Sequence, residues 1–331
     1  EVNLPTLEDK STNSISVTDN SGGIDPVTTP TGSVLFGSQG SGTGQFTTNY
    51  GADFDSDNNY WIIDYSNNRA DKFDFDGNHL LSSSGYLDRG EGLAIDEDGY
   101  VWIAEYKYSY MMNKIDPDTG NQLTSWSLGS GTEPYGMDID SDGNLWVSDG
   151  GSTKQLEKWS QSGTLLQSIS QAGNYGMCIN PVNDDVYVLI YNSYIMKHYD
   201  SSMTHIEDIS TGSGNSPFDC DFDQFGTMYV SGSPNFLKKY DTTNNHSLEW
   251  TYNVNTNGNN ARSIAVTDDG TVLFVIDATA RQVHKVNLGT AIPSMTSTTG
   301  VISTGVQSPN LSYTDTNLPD NTDDFSIGSW V

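Results

Sequence analysis

Short runs of alternating apolar and polar residues recur along most of the chain, each broken by a turn rich in Asp, Asn and Gly. Alternation over four to eight residues is the period of a half-buried β-strand, and D-G or N-rich turns between two such runs mark hairpins. From Gly51 the pattern predicts strands at about 51–55, 59–64, 69–74 and 79–83, with "DSDNN" and "DFDG" among the turns. No amphipathic helix of useful length interrupts the pattern.

The same unit returns. It reads "GADFDSDNNYWIID" from Gly51, "GLAIDEDGYVWIAE" from Gly92 and "GMDIDSDGNLWVSD" from Gly136, then "GMCINPVNDDVYVLI" from Gly176, "DCDFDQFGTMYVSG" from Asp219 and "SIAVTDDGTVLFVID" from Ser263. The spacings are 41, 44, 40, 43 and 44 residues. Four short antiparallel strands at a period of about 40–45 residues are the signature of a propeller blade. The expected fold is therefore all-β, a six-bladed β-propeller of four-stranded antiparallel blades with extended N- and C-terminal tails. Trp61, Trp102, Trp146, Tyr187, Tyr229 and Phe274 hold the same strand position in the six units and are expected to be core.

The stretch "GSGTGQFTTNYGADFDSDNNYWIIDYSNNRADKFDFDGNHLLSS" resembles an NHL repeat, with its G-Q-F lead, its aliphatic and aspartate run and its closing D-G turn. The likeness extends clearly to the second and third units and is weaker in the last three, where Asp219 and Ser263 replace the leading glycine. It implies a six-bladed propeller over residues 33–297, flanked by a Ser/Thr-rich tail at 1–32 and a linker or docking strand at 298–331. Closure is expected at blade six. Its third strand "RQVHKV" is followed by "TAIPSMT", where Pro293 cannot donate to a ladder, while "GSVLFG", 32–37, sits before the first unit. The N-terminal segment is thus expected to supply the missing outer strand, the alternative being residues 290–296.

Both tails are rich in Ser, Thr, Asn and Pro and poor in aliphatics. If ordered, they must dock on their own propeller or on another molecule, and "FSIGSWV" reads as a strand able to pair with a second subunit. The segment "LSYTDTNLPDNTDDFSIGSWV" resembles the opening of a laminin-G or concanavalin-like domain, which implies a chain that continues past Val331 into a larger modular protein.

Composition narrows the setting. The 331 residues carry 43 acids against 14 bases, a net charge of −29, so nucleic acid is excluded as a partner for want of a basic footprint. No apolar run reaches the length of about 18 residues that a membrane span needs. The Asn/Ser/Thr/Gly/Tyr-rich polarity and the sequons at Asn245 and Asn310 fit an extracellular, cell-surface protein, with both asparagines as candidate glycosylation sites. Cys178 and Cys220 fall on inner strands of adjacent blades but at positions of opposite strand parity, and two buried thiols are expected rather than a disulfide.

Candidate chemistry gathers at the inner strands. "DIDSDGNLWVSD", Asp138–Asp149, matches the acidic positions and the glycine of a calcium loop, but its flanks are strands and its twelfth residue is Asp149 rather than a bidentate Glu. The inner strands carry Asp53, Asp138 and Asp221 in blades one, three and five, where NHL blades usually have a small residue, and Ala94, Cys178 and Ala265 in the others. The three acids form a candidate calcium site near the channel. The competing reading is that each accepts hydrogen bonds from an adjacent blade. Just before the inner strands stand Tyr50, Glu91, Tyr135, Tyr175, Phe218 and Arg262, a candidate ligand-binding ring at one mouth of the channel for a small polar ligand, a glycan or a peptide.

Propellers resembling this one include zinc-dependent amidating lyases and calcium-dependent lactonases. Here the five histidines fall at non-equivalent positions and are not expected to converge, and there is no Gly-x-Ser-x-Gly elbow or P-loop. The expected function is a non-enzymatic structural or adhesive module that assembles through its tails with other proteins, copies of itself included, in a surface layer or filament. The alternatives are a glycan- or peptide-binding propeller and a calcium-dependent lactonase or lyase.

Overall fold

The computed structural model describes residues 30–289 apart from 107–109, 152–153 and 255–259, and at the two ends the strands Leu7–Glu8, Ser14–Ile15, Val17–Asp19 and Leu311–Tyr313. The chain separates into two units, one of Thr29–Gly289 and one of Glu1–Thr28 with Thr290–Val331. In the second unit Leu7–Glu8 pairs with Ser14–Ile15, and Val17–Asp19 pairs antiparallel with Leu311–Tyr313. The proposed outer strand 290–296, the candidate glycosylation residue Asn310 and the segment "FSIGSWV" lie outside the described residues.

The larger unit is all-β, with six sheets of four antiparallel strands. The innermost strands are Asn49–Phe54, Gly90–Ile95, Pro134–Ile139, Asn174–Ile179, Ser216–Phe222 and Ala261–Val266. In blades one to five the four strands follow one another in sequence order. Blade six instead takes its outer strand, Thr31–Phe36, from the N-terminal side of the propeller, paired antiparallel with Gln282–Asn287. Phe36 at the end of that strand stacks on Phe73 of blade one at 4.2 Å, so the closing strand also seals the junction between the first and last blades.

Each blade is too thin to bury both its faces alone, and the apolar residues are spent on the junctions. There are six such clusters, one between each pair of neighbouring blades. The six aromatics Trp61, Trp102, Trp146, Tyr187, Tyr229 and Phe274 are all at 2% exposure or less. At the inner strands the blades approach so closely that side chains have no room. A Cβ on Gly51 would stand 2.5 Å from the Glu91 carbonyl oxygen, and one on Gly136 would stand 2.6 Å from the Met177 nitrogen. Where blades five and six meet, side chains bridge the gap: Asp219 accepts hydrogen bonds from the Ser263 hydroxyl at 2.6 Å and the Ile264 N–H at 3.1 Å. The repeat pattern weakens at its fifth and sixth leading positions because these residues form a polar bridge rather than a close backbone contact.

The expectation of two free thiols is corrected: Cys178 and Cys220 form a disulfide, with Cα atoms 5.5 Å apart. Opposite strand parity is what the geometry requires. Successive side chains of a strand point to opposite faces, and neighbouring blades stack face to face, so the forward face of blade four meets the rear face of blade five. Disulfides belong to proteins of non-reducing compartments, which fits an extracellular setting. Among the described residues, no helix is long and apolar enough to cross a membrane.

Candidate functional site

All six inner strands contribute to one axial cavity of about 80 Å³. Its lining includes the acids Asp53, Asp138, Asp219 and Asp221 and, at the mouth, Tyr50, Glu91, Tyr135, Tyr175, Phe218 and Arg262.

The acids on alternate blades share one geometry. Asp53, Asp138 and Asp221 each accept the N–H of the following residue at 2.7 Å through Oδ1. Through Oδ2 they accept an N–H of the next blade: Ile95 at 3.1 Å, Ile179 at 2.7 Å and Val266 at 2.7 Å. They staple blade one to two, three to four and five to six. Between blades four and five the disulfide joins the equivalent strands. Burial pushes Asp138 and Asp219 up to about 7, their backbone hydrogen bonds opposing. Asp53 and Asp221 are also held well above the usual carboxylate range, by burial first and by a neighbouring acid second, Asp138 for Asp53 and Asp53 for Asp221.

The acids two positions on serve the hairpins. Asp140 accepts the N–H groups of Asp142 at 3.1 Å and Asn144 at 2.8 Å, the Trp146 indole at 2.8 Å and the Lys158 ammonium at 2.7 Å. Lys158 also lies over the Trp146 ring. Asp96, Trp102 and Lys114 repeat this arrangement in blade two, and Asp55 pairs with Lys72 in blade one. The calcium-loop match of Asp138–Asp149 is therefore a strand hairpin whose central acid is already neutralised by a lysine.

At the mouth, rings from successive blades form an arc. Tyr50 meets Tyr65 at 5.0 Å, Tyr65 meets Tyr106 at 6.0 Å, and Tyr106 meets Tyr135 at 5.8 Å. Tyr135 stacks on Tyr175 at 5.0 Å, and Tyr175 meets both Tyr191 and Phe218. Arg262 of blade six lies inside the arc, its guanidinium over Tyr50 at 4.2 Å, Tyr175 at 5.0 Å and Phe218 at 5.5 Å. Its Nη2 reaches across to Glu91 Oε1 of blade two at 3.6 Å. Glu91 is 4% exposed. Burial pushes its carboxyl up to about 8, outweighing the guanidinium, which pulls down, and aided by Glu133. At neutral pH this carboxyl largely keeps its proton.

Two features lay beyond the sequence reading. Asp219 joins the channel acids, and its signal was the loss of the leading glycine in the fifth unit. The histidines were expected not to converge, but His198 and His246 meet Glu207 at the outer part of the junction between blades four and five. The turn of blade five that carries His246 reaches the outer strands of blade four, a cross-blade contact that positions within a repeat do not reveal. Asn245 lies exposed in the same turn.

No protein family's sequence pattern matches the chain, and none of the curated proteins matches it in sequence. Solved structures match its fold. The virginiamycin B lyase from Staphylococcus aureus aligns with a TM-score of 0.55 at 14% identity over 78% of this chain and 98% of that one. XC5397 from Xanthomonas campestris, a gluconolactonase, gives 0.63 at 14% identity over 77% and 88%. Kuenenia stuttgartiensis hydrazine synthase gives 0.58 at 12% identity over 73% and 96%. These likenesses establish the six-bladed propeller. They also correct the expectation of a non-enzymatic module, because the solved structures that share this architecture include a virginiamycin B lyase and a gluconolactonase.

Proposed function

We propose that the channel mouth is an acid–base catalytic pocket that opens a small cyclic ester or a related carbonyl compound. The observation that carries the reading is Glu91, a buried carboxyl at the wall of the cavity, held up to about 8 and facing a guanidinium 3.6 Å away. A general acid must be protonated at the working pH and close to its own pKa, and burial achieves both here. Arg262 anchors the substrate carbonyl oxygen, and the stacked tyrosines exclude bulk water around it. Water adds to the acyl carbon, the acyl carbon–oxygen bond breaks, and Glu91 gives its proton to the departing alkoxide and regains one from the water consumed. At about 80 Å³ the cavity has room for a few water molecules, so only a small substrate or one polar end of a larger one enters. The choice of an ester follows from the fold relatives, of which one is by name a lyase and another a gluconolactonase.

The test is the blank-corrected rate of ring opening on a panel of small lactones as a function of pH. Turnover is expected at neutral pH and declines as pH rises through about 8, where Glu91 loses its proton. A rate that stays level or climbs through that range sinks the assignment.

A second reading rests on Tyr191, which is 44% exposed and stacks on Tyr175 of the arc. Exposed rings at a concave mouth suit the flat faces of sugars, and a glycan would stack there. Loss of glycan binding on Tyr191→Ala supports this reading, and unchanged binding removes it.

A further inference from the structure

Blades four and five are joined twice, by the disulfide of their inner strands and by a cluster near their outer edge. In that cluster, His198 Nδ1 faces Glu207 Oε1 at 3.7 Å and His246 Nδ1 faces the same oxygen at 3.2 Å. Both imidazole side chains are more than nine-tenths buried, at 8% and 7% exposure, and neither Nδ1 makes a hydrogen bond. The far nitrogens are held. His198 Nε2 lies 2.9 Å from Asp185 Oδ2, and His246 Nε2 lies 2.9 Å from the Tyr187 hydroxyl. Tyr187 also stacks on the His198 ring at 4.5 Å and meets the His246 ring edge-on.

This arrangement suits a cation. An ionised Asp185 only accepts, so it fixes the proton of His198 on Nε2 and leaves the Nδ1 lone pair aimed at a carboxylate. The two buried Nδ1 atoms face one half-exposed carboxylate, and a cation between them would satisfy all three. Ligand atoms of a tetrahedral zinc ion, with bonds of about 2.0–2.1 Å, lie roughly 3.3 Å apart, and the two measured separations bracket that figure. A carboxylate behind a ligating imidazole is also the usual outer support of a metal site. Glu207 is 41% exposed, which leaves a path for the ion to enter and a position open to water.

We propose that His198 Nδ1, His246 Nδ1 and the Glu207 carboxylate bind a divalent transition-metal ion of the zinc class, clamping the outer edge of the junction between blades four and five. Two imidazoles with one carboxylate select zinc over calcium or magnesium, which take oxygen donors.

Zinc chloride titrated calorimetrically into the untagged, metal-stripped full chain tests the proposal. A single zinc ion per chain is expected, with calcium unable to compete and thermal stability raised by the metal. His246→Ala and His198→Ala are expected to abolish that binding while keeping the β circular dichroism spectrum. Asp185→Asn keeps all three ligands and is expected to weaken binding about 10–100-fold, which decides the matter even if an alanine variant fails to fold. A native chain that binds no zinc overturns the proposal, as does undiminished zinc affinity in a folded His246→Ala chain or in Asp185→Asn.

Discussion

Asp138 holds two N–H groups at once, its own neighbour's and that of Ile179 in the next blade, and does so from the half-buried wall of the axial cavity. Replacing it by Asn turns one acceptor into a donor that faces an N–H. Asp138→Asn is therefore expected to cost about 1–3 kcal/mol in denaturant unfolding, the usual penalty for a buried donor left unpaired. A change of a few tenths would mean that the staple contributes little. The alternation of acids on blades one, three and five is plain in the aligned repeats. Their partners are not, because each is a backbone N–H about one blade away and backbone groups carry no sequence signal. The six residues of the mouth could be named from their place beside each leading position of the repeat, although they lie within the inner strands rather than before them, while the position of Arg262 among three rings and its reach to Glu91 needed the structure.

At the scale of the blade, period and turn chemistry made the architecture legible. The repeat length, the conserved position of one aromatic per unit and Pro293 in the unit that lacks an outer strand were enough to predict six blades and the closing strand, found at Thr31–Phe36. Contacts across a junction were less accessible. A period of two tells which residues share a face but not which face meets the neighbouring blade, so Cys178 and Cys220 were misjudged and His246 was not matched to His198. The disulfide spans 42 residues of sequence. On chain-entropy grounds the double variant Cys178→Ser, Cys220→Ser should lose about 2–4 kcal/mol in guanidinium unfolding. Stability equal to that of the native chain under oxidising conditions would contradict the bond's role as the fastening of blades four and five.

The whole molecule carries a net charge of −29, and its buried acids respond to pH in a definite direction. Glu91, Asp138 and Asp219 have folded values raised to about 8, 7 and 7 from ordinary values of 4.5, 3.8 and 3.8. A raised carboxyl favours the folded state below its unfolded value, and that contribution is lost as pH rises through the folded value. Asp74, Asp116 and Asp208 are shifted down by hydrogen bonds, and their contribution is lost as pH falls below the ordinary range. Thermal stability is thus expected to peak near pH 5 and to decline steadily toward pH 8, with self-repulsion of the acidic surface acting in the same direction. Melting curves across that range check this, and a midpoint that rises from pH 5 to 8 is the contrary result.

Function at this scale depends on six inner strands delivering a protonated carboxyl and a guanidinium to one small cavity. The most direct measurement is lactone ring opening by the native chain and by Glu91→Gln, run side by side at pH 7 with folding checked by circular dichroism. The native chain should turn over at least one small lactone, and the variant should be slower by about 10²–10⁴-fold, the usual contribution of a positioned proton donor. Equal rates in the two chains would contradict the role assigned to Glu91 and, with it, the reading of the mouth as a catalytic site.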